Sequence, residues 1–360
     1  MRVGIIGAGL QCRRRAPVLV ESKDDQLVAI ASKDAAQADA VARQFGARGV
    51  GGWQELVKRD DVDAVLVCTP PHVHAEITIT ALRAGKHVLC EKPLSRTLAE
   101  AESMLQAGRE AGRVLKCGFN HRHHPAVWEA KRRFDAGELG RPLFARCRYG
   151  ICGRPGYEKE WRADPEQAAG GQLIEQGTHG IDLIRWFMGE IAEVSCMTAV
   201  HYFREQKLED DGLALFRTAA GGTASLHTSL VQWQNLFSFE VFGAEGYARV
   251  EGLGAAYGTE QLYLGRRDFS APFQDHVIHY RGGDSSWREE WREFAAAIRE
   301  GREPIGGARD VRRAARKRDR HGPPTARIRR AAPARPVYRR SRPVPAAGSG
   351  SGRAAPTTPP

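Results

Sequence analysis

Over the first 118 residues, short apolar runs alternate with segments of helical periodicity, and this alternation limits the folds open to the chain. The strand-like runs are Val3 to Ile6, Leu27 to Ala31, Ala64 to Cys68, His87 to Cys90 and Val114 to Gly118. Helical patterns lie between them, and two of these patterns end at Gly46 and Gly85. Strands that alternate with helices form a parallel sheet with helices on both faces. We therefore predict an α/β fold in which residues 1–118 form a doubly wound parallel sheet.

A glycine-rich turn connects the first strand to the first helix. Gly7 permits a tight turn, and Gly9 lets the backbone approach a pyrophosphate at the helix N-terminus. Cys12 stands where a dinucleotide fingerprint has its third glycine, so the motif is incomplete and a purely structural turn is the alternative. The strand-turn-helix context favours a Rossmann dinucleotide-binding domain. The residues expected to contact the dinucleotide here are Gly7, Ala8, Gly9, Leu10 and Gln11.

The end of the second strand bears on which dinucleotide is bound. An NAD site usually has Asp or Glu there for the ribose hydroxyls, whereas this chain has Ser32 and Lys33 followed by Asp34. A hydroxyl and a cation suit a 2′-phosphate. We predict NADP or NAD as the cofactor, with NADP favoured. In the alternative interpretation, Asp34 caps the next helix and Lys33 is merely solvated.

Beyond Gly118 the pattern changes to short alternating runs separated by glycine turns, which is typical of antiparallel hairpins. One helical segment, Gly170 to Met188, interrupts these runs, and an amphipathic helix from Ser286 to Arg299 follows them. We predict a second, α+β domain over residues 119–307, with a mostly antiparallel open sheet.

Residues 308–360 differ in composition from the rest of the chain. They contain fourteen arginines and one lysine against two aspartates, so they carry +13 while the other 307 residues carry −2. An Arg/Ala/Pro-rich segment cannot bury enough apolar surface to order itself. We predict a disordered tail, or the product of a reading-frame shift, and expect neither nucleic acid nor a membrane as partner. The seven cysteines, without a C-x-x-C pair, suit a reducing compartment, and we expect the cytoplasm.

Two strand ends carry residues suited to a ligand cleft, because ligands bind at the carboxyl edge of such sheets. Glu91, Lys92 and Pro93 follow the fourth of the strand-like runs, and Thr69 and Pro70 end the third in a helix-breaking turn. The bond between Lys92 and Pro93 is a candidate for the cis form, which X-Pro bonds tolerate. This geometry would aim the lysine into the cleft.

The helical segment of the second domain offers an acid/base pair. On a helix from about Gln172, the side chains of Glu175, His179, Asp182 and Trp186 share one face. A carboxylate one turn from a histidine can orient its ring and tune its pKa, as a general acid/base requires. The alternative is a surface Glu-His pair on an ordinary amphipathic helix.

Together these motifs resemble the Gfo/Idh/MocA family of NAD(P)-dependent sugar and polyol dehydrogenases, over about residues 1 to 307. The motifs that carry the resemblance are G-A-G-L, C-T-P-P-H-V-H, E-K-P and G-G-Q-L-I-E-Q-G-T-H-G-I-D-L. The resemblance implies that His179 takes the proton of a substrate carbinol during hydride transfer and that Lys92 donates a hydrogen bond to the same oxygen. Glu175, which stands where the family usually has Asp, would hold a neighbouring hydroxyl. Further cofactor contacts are expected from Thr69, Pro70, His74, Glu91 and Lys92.

The resemblance also implies a sugar or polyol substrate and a homodimer or homotetramer formed through the open face of the second sheet. Polar and aromatic groups that suit a polyol pocket are Asn120, Arg122, Tyr149, Trp161, Arg162 and Asp182. The nearby histidines at 121, 123 and 124 lack an acid or Cys at ligand spacing, so no metal is expected. The alternatives are an NAD-dependent glycoside hydrolase acting by transient oxidation and a non-catalytic dinucleotide-sensing regulator.

Overall fold

The computed structural model of the protein describes residues 1–270 and 274–307. The segment 308–360, predicted to be a disordered tail, lies outside the described residues. Within the described ranges, no helix has the length and apolar character needed to cross a membrane.

The first sheet has six parallel strands in the order β3-β2-β1-β4-β5-β6, which confirms the predicted doubly wound fold. Its strands are β1 (Arg2–Ile6), β2 (Gln26–Ala31), β3 (Arg48–Val50), β4 (Ala64–Val67), β5 (His87–Glu91) and β6 (Leu115–Gly118). The helices that connect them are α1 (Leu10–Val20), α2 (Ala35–Gln44), α3 (Trp53–Val57), α4 (His74–Arg83) and α5 (Leu98–Ala111). The strand order reverses between β1 and β4, and a ligand crevice forms outside the carboxyl ends of the strands at such a reversal.

The second sheet has eight strands in the order β14-β13-β12-β11-β7-β10-β9-β8. Its strands are β7 (Pro142–Cys152), β8 (Ile191–Ala199), β9 (Asp211–Thr218), β10 (Thr223–Ser229), β11 (Val231–Gly243), β12 (Gly246–Glu251), β13 (Glu260–Arg266) and β14 (His276–Tyr280). Every pairing is antiparallel except that of β7 with β10, so the prediction of a mostly antiparallel sheet is confirmed.

Helices cover one face of the second sheet. They are α6 (Pro125–Asp135), the four-residue α7 (Gln172–Glu175) and α8 (Gly177–Met188). Gly180 lets α8 approach the sheet closely, because a Cβ there would lie 2.7 Å from the Leu226 side chain. The other face exposes apolar side chains, among them Met197 (55% exposed) and Leu215 (56% exposed).

The helix α9 (Ser286–Glu300) returns to the first sheet. Trp291 and Phe294 pack with Cys12 and Leu19 of α1 in one buried cluster. Trp291 Nε1 also donates a hydrogen bond of 2.9 Å to Asp25 Oδ2. A segment from the end of the described chain therefore completes the core around the predicted dinucleotide turn.

Candidate active site

Two cavities meet at the carboxyl edge of the first sheet. One, of about 670 Å³, lies against the turn between β1 and α1. The other, of about 600 Å³, lies between that edge and the second sheet. We call them the dinucleotide cavity and the substrate cavity. The residues that line both are Leu10, Gln11, Glu91, Lys92, Arg162 and Glu175.

The glycine turn has the geometry that close approach to a dinucleotide requires. Gly7 has φ = 103°, and a Cβ there would lie 2.7 Å from the Cys68 carbonyl oxygen. A Cβ on Gly9, the N-cap of α1, would meet nothing within 4 Å. Cys12 is fully buried, so the side chain in place of the third glycine is absorbed by the core and stays away from the cavity.

Two polar atoms in the wall of the dinucleotide cavity are buried and have no hydrogen-bond partner. They are Gln11 Oε1 and Thr69 Oγ1. Buried polar groups are normally paired, and the first backbone N–H groups of α1 lack partners within the helix. Polar groups without hydrogen-bond partners, next to the open space at Gly9, fit a bound pyrophosphate and ribose. Pro70 lines the same cavity.

The second strand ends without a carboxylate on the cavity wall. Ser32 and Lys33 line the dinucleotide cavity, and Ser32 Oγ donates a 2.9 Å hydrogen bond to Gln37 Oε1. Asp34 instead accepts from the Gln37 backbone N–H at 3.1 Å and caps α2. Asp34 therefore caps the helix, as in the alternative interpretation of this residue.

His74 does not line either cavity, so its predicted contact with the cofactor is corrected. The side chain is fully buried, with its ring nitrogens 2.9 Å from the Pro93 carbonyl oxygen and 2.8 Å from that of Thr69. Burial lowers the pKa of His74, while the two carbonyl contacts favour the protonated ring. The histidine therefore connects the two loops that edge the cleft, and the peptide bond between Lys92 and Pro93 is cis, as predicted.

Lys92 lies at the junction of the two cavities and contacts Glu175. Its Nζ lies 3.3 Å from Glu175 Oε1 and also donates to the Glu175 backbone carbonyl. Arg162 Nε donates to the same carboxylate at 3.2 Å. Burial opposes ionisation of Glu175, but Lys92 and Arg162 outweigh it and lower the pKa of this carboxyl. The site thus keeps an anionic Glu175 beside two cations.

The predicted pairing of Glu175 with His179 is wrong, because the helix is broken between them. Helix α7 ends at Glu175, and α8 begins at Gly177. The Glu175 carboxylate turns to Lys92 and Arg162, while His179 Nδ1 has no hydrogen-bond partner. The predicted single helix from Gly170 to Met188 is therefore two helices.

His179 lines the substrate cavity as a neutral imidazole. Its ring stacks on that of His121, with centroids 3.8 Å apart and planes at 18°. Burial, with the nearby charges of Lys92 and His124, lowers the pKa of His179 well below its usual value. A neutral ring within a cavity that also contains Lys92 can accept a proton from a bound hydroxyl.

Arg122 and Asp182 do not line the substrate cavity, and their predicted substrate contacts are corrected. Arg122 Nε lies 2.7 Å from Asp182 Oδ2, and its Nη2 lies 2.6 Å from Oδ1. Both side chains are almost fully buried. Buried charges require this kind of pairing, so the pair fixes α8 to the turn after β6.

The other predicted substrate residues lie at the cleft. Asn120 and Tyr149 line the substrate cavity. Trp161 lines the dinucleotide cavity instead, and Arg162 lines both. The Arg162 guanidinium lies 4.3 Å from the centre of the Trp161 ring.

Glu91 lines both cavities, but its carboxylate also belongs to a buried charge network. Glu91 Oε1 accepts a 2.8 Å hydrogen bond from Arg15 Nε. Arg15 Nη1 lies 2.7 Å from Glu290 Oε2 of α9, and Glu290 Oε1 lies 3.5 Å from Lys116 Nζ. This network stabilises the strand end that carries Lys92.

The sequence reasoning missed Tyr257 and Asp284, which line the substrate cavity. Tyr257 lies in the loop between β12 and β13, where Gly252, Gly254 and Gly258 all have positive φ. Three glycines in seven residues indicated an irregular loop at this point, because a tight hairpin does not need so many glycines. Asp284 was signalled only by its place just before the last helix.

Comparisons with known proteins identify the family of the chain. The family model for the oxidoreductase family with an NAD-binding Rossmann fold, Gfo/Idh/MocA, matches residues 1–119, and the model for the Gfo/Idh/MocA C-terminal domain matches residues 127–249. A 1,5-anhydro-D-fructose reductase from Ensifer adhaerens is 33% identical over 68% of this chain and 74% of its own. A dTDP-3,4-didehydro-2,6-dideoxy-alpha-D-glucose 3-reductase from Actinomadura kijaniata is 31% identical over 88% of this chain and 92% of its own.

Solved structures show the same likeness. A levoglucosan dehydrogenase in complex with NADH and levoglucosan superimposes with a TM-score of 0.80 at 25% identity, over 89% of this chain and 95% of its own. A 3-ketoreductase from Actinomadura kijaniata in complex with NADP and TDP-benzene gives a TM-score of 0.74 at 28% identity, over 88% and 94%. These proteins are dehydrogenases and reductases, so neither the hydrolase nor the regulator alternative gains support. The protein belongs to the Gfo/Idh/MocA family and is a nicotinamide-dependent oxidoreductase.

Proposed function

We propose that the protein transfers a hydride between NADP(H) and a carbinol carbon of a sugar or polyol, with Lys92 and His179 as the catalytic residues. The observation that carries the proposal is the position of these two side chains. Lys92 lines both cavities, and the neutral His179 lines the substrate cavity next to it. A substrate carbinol between them would face the dinucleotide cavity.

Each side chain has a distinct role in this proposal. When bound, the nicotinamide supplies the hydride acceptor or donor. His179 takes the carbinol proton during oxidation and returns it during reduction. Lys92 donates a hydrogen bond to the same oxygen and stabilises its developing negative charge. Glu175 is held by Lys92 and Arg162 and accepts a hydrogen bond from a neighbouring substrate hydroxyl.

The preference for NADP rests on the end of β2. Ser32 and Lys33 line the dinucleotide cavity there, whereas Asp34 is engaged in capping α2. A hydroxyl and an ammonium bind a 2′-phosphate, whereas a carboxylate on the wall would repel it. Related structures contain either NADH or NADP, so relatives alone do not select one.

Association and location complete the proposal. The exposed apolar face of the second sheet, with Met197 and Leu215, supports a homodimer or homotetramer through that face. Seven free cysteines support function in the cytoplasm. The sheet face is mixed with charged residues such as Arg217 and Glu193, which pair across it at 3.4 Å.

The test is nicotinamide absorbance with NAD and NADP against a sugar panel. The panel contains levoglucosan, scyllo-inositol and, in the reductive direction, 1,5-anhydro-D-fructose. We expect turnover with at least one sugar, a higher kcat/KM with NADP, and loss of turnover in His179→Asn. Turnover that persists in His179→Asn would contradict the assignment of the base, and a clear NAD preference would contradict the role of Ser32 and Lys33.

A further inference from the structure

A chain of hydrogen bonds begins at the N-terminus of α9. Ser286 Oγ lies 2.5 Å from Asp284 Oδ1, and Asn120 Nδ2 lies 2.8 Å from Ser286 Oγ. The Asp284 carboxylate also accepts from the Ser286 backbone N–H at 2.9 Å. A carboxylate only accepts, so the Ser286 hydroxyl donates to Asp284 and its oxygen accepts from the Asn120 amide. This orientation directs Asn120 Oδ1 toward His121.

The Asn120 oxygen selects one tautomer of His121. His121 Nδ1 lies 3.3 Å from Asn120 Oδ1, an acceptor, so Nδ1 carries the proton. Burial and the adjacent imidazole of His179 lower the pKa of His121 well below its usual value, so the ring has only this one proton. His121 Nε2 is therefore an acceptor. The Tyr149 hydroxyl, 3.1 Å away, donates to it.

The chain of hydrogen bonds reaches the substrate cavity at Tyr257. The Tyr149 and Tyr257 hydroxyl oxygens are 3.2 Å apart. Tyr149 has one proton and donates it to His121, so Tyr257 must be the donor across this contact. The Tyr257 oxygen then has only lone pairs for the cavity that it lines.

The Tyr257 hydroxyl is held in place by its surroundings. Its ring packs against that of Tyr149 in an edge-to-face arrangement with centroids 5.2 Å apart. Asn235 Nδ2 donates a 3.0 Å hydrogen bond to the carbonyl of the preceding residue, Ala256. The acceptor therefore has a fixed position as well as a fixed polarity.

We propose that Tyr257 is a specificity-determining residue that accepts a hydrogen bond from a substrate hydroxyl, and that His121 is a positioning residue that sets this polarity. The inference rests on the proposed function and narrows its substrate class: the sugar must have a free, donating hydroxyl at the position that faces Tyr257. A site built to pair with a hydroxyl discriminates against analogues that lack it, because the buried partner is left unpaired. For a neutral pair we expect an effect of about 10- to 100-fold.

The kinetic test uses the panel sugar with the highest turnover and its deoxy and deoxyfluoro analogues, altered at one non-reacting hydroxyl at a time. At one position both changes should raise KM about 10- to 100-fold with a smaller effect on kcat. Tyr257→Phe should impose the same loss on the parent sugar and no further loss on those two analogues. Fluorine accepts but cannot donate, so a deoxyfluoro analogue that matches the parent at every position would overturn the inference. An unchanged KM for the parent in Tyr257→Phe would do the same.

A second measurement needs no turnover. Nitrogen-15 NMR of histidine-labelled protein reports the tautomer of each ring, and the His121 signals are those lost in His121→Gln. We expect the Nδ1–H form, and the Nε2–H form would overturn the inference even if sugars are oxidised. If no panel sugar is turned over, the proposed function is contradicted, and so is the proposed hydrogen bond from a substrate hydroxyl to Tyr257. The His121 tautomer would still show separately in which direction the hydrogen bonds between His121 and Tyr257 run.

Discussion

Removing the charge of Lys92 while keeping an unbranched side chain tests the proposed chemistry most directly. Lys92→Met keeps an unbranched chain of similar length but deletes the ammonium group. The native side chain is only 9% exposed, so water screens its charge weakly. Its Nζ lies within 3.3 Å of the Glu175 carboxylate, which partly balances the charge but cannot donate a proton to a substrate oxygen.

The expected size of the effect follows from the distance and the medium. A full negative charge about 3 Å from Nζ would be stabilised by roughly 5 kcal/mol at an effective dielectric constant of about 20. A carbinol oxygen that has developed about half a charge in the transition state would gain roughly half of that. A loss of nearly 3 kcal/mol corresponds to about 100-fold in kcat. Removal of a single oxyanion donor in other enzymes has effects of about 100- to 1,000-fold.

A matched control flanks the same strand. Lys86 precedes β5, is 9% exposed, and donates a 2.8 Å hydrogen bond to the Arg59 carbonyl oxygen. It lies at the opposite edge of the sheet from Lys92. Lys86→Met should cost stability as a buried lysine does, yet leave kcat close to that of the wild-type protein. Thermal unfolding of both variants, together with kcat and KM for the sugar turned over, separates folding from chemistry.

Two outcomes would refute this reasoning. The first is a kcat for Lys92→Met within about threefold of the wild-type value, since Arg162, the other cation among the residues that line both cavities, is already paired with Glu175. The second is an equal loss of kcat in Lys86→Met, which would trace the effect to general destabilisation. A loss seen only as a raised KM would make Lys92 a binding residue for substrate.

Three further predictions concern the cofactor site and one buried histidine. Gly9→Ala should fold normally, because its Cβ meets nothing within 4 Å, yet it should bind the dinucleotide more weakly. Gly7→Ala should lose stability, because Gly7 has φ = 103°. Dinucleotide titration together with thermal unfolding distinguishes the two variants. Ser32→Asp should shift the ratio of kcat/KM values toward NAD by about tenfold or more, because a carboxylate repels a 2′-phosphate. Burial lowers the pKa of His123 well below 6.5, so the unfolded state takes up a proton that the folded state does not, and the free energy of unfolding should fall as the pH drops below about 6.5. His123→Phe should weaken that pH dependence in thermal unfolding measured from about pH 8 to about pH 5.

The parts of the fold and site that could be predicted were those encoded in short stretches. The β1-α1 turn needs glycine at specific backbone positions, so Gly7 and Gly9 were identifiable from residue type alone. Lys92 was identifiable because it follows a buried strand at the edge where ligands bind. These inferences needed only local periodicity and the general topology of parallel sheets.

The parts that failed depend on contacts between distant segments. Arg122 and Asp182 look like polar pocket residues in the sequence, but they lie 60 positions apart and satisfy each other in the core. His74 looks like a cleft residue and instead binds two backbone carbonyl oxygens. Glu175 and His179 have ideal helical spacing, yet the break between α7 and α8 separates their roles. A spacing rule assumes a continuous helix and cannot anticipate such a break.

The last described helix, α9, makes contacts that stabilise the site and that the sequence alone did not indicate. Glu290 of α9 lies 2.7 Å from Arg15, whose guanidinium also binds Glu91 next to Lys92. Four residues earlier on α9, Ser286 lies in the hydrogen-bond chain that leads to Tyr257. One helix therefore contacts the supports of both the proposed catalytic lysine and the proposed substrate acceptor. Because buried charges and polar groups must be paired, a shift of α9 would leave partners unmatched on both sides of the cleft. The helix thereby couples the geometry of the dinucleotide side to that of the substrate side.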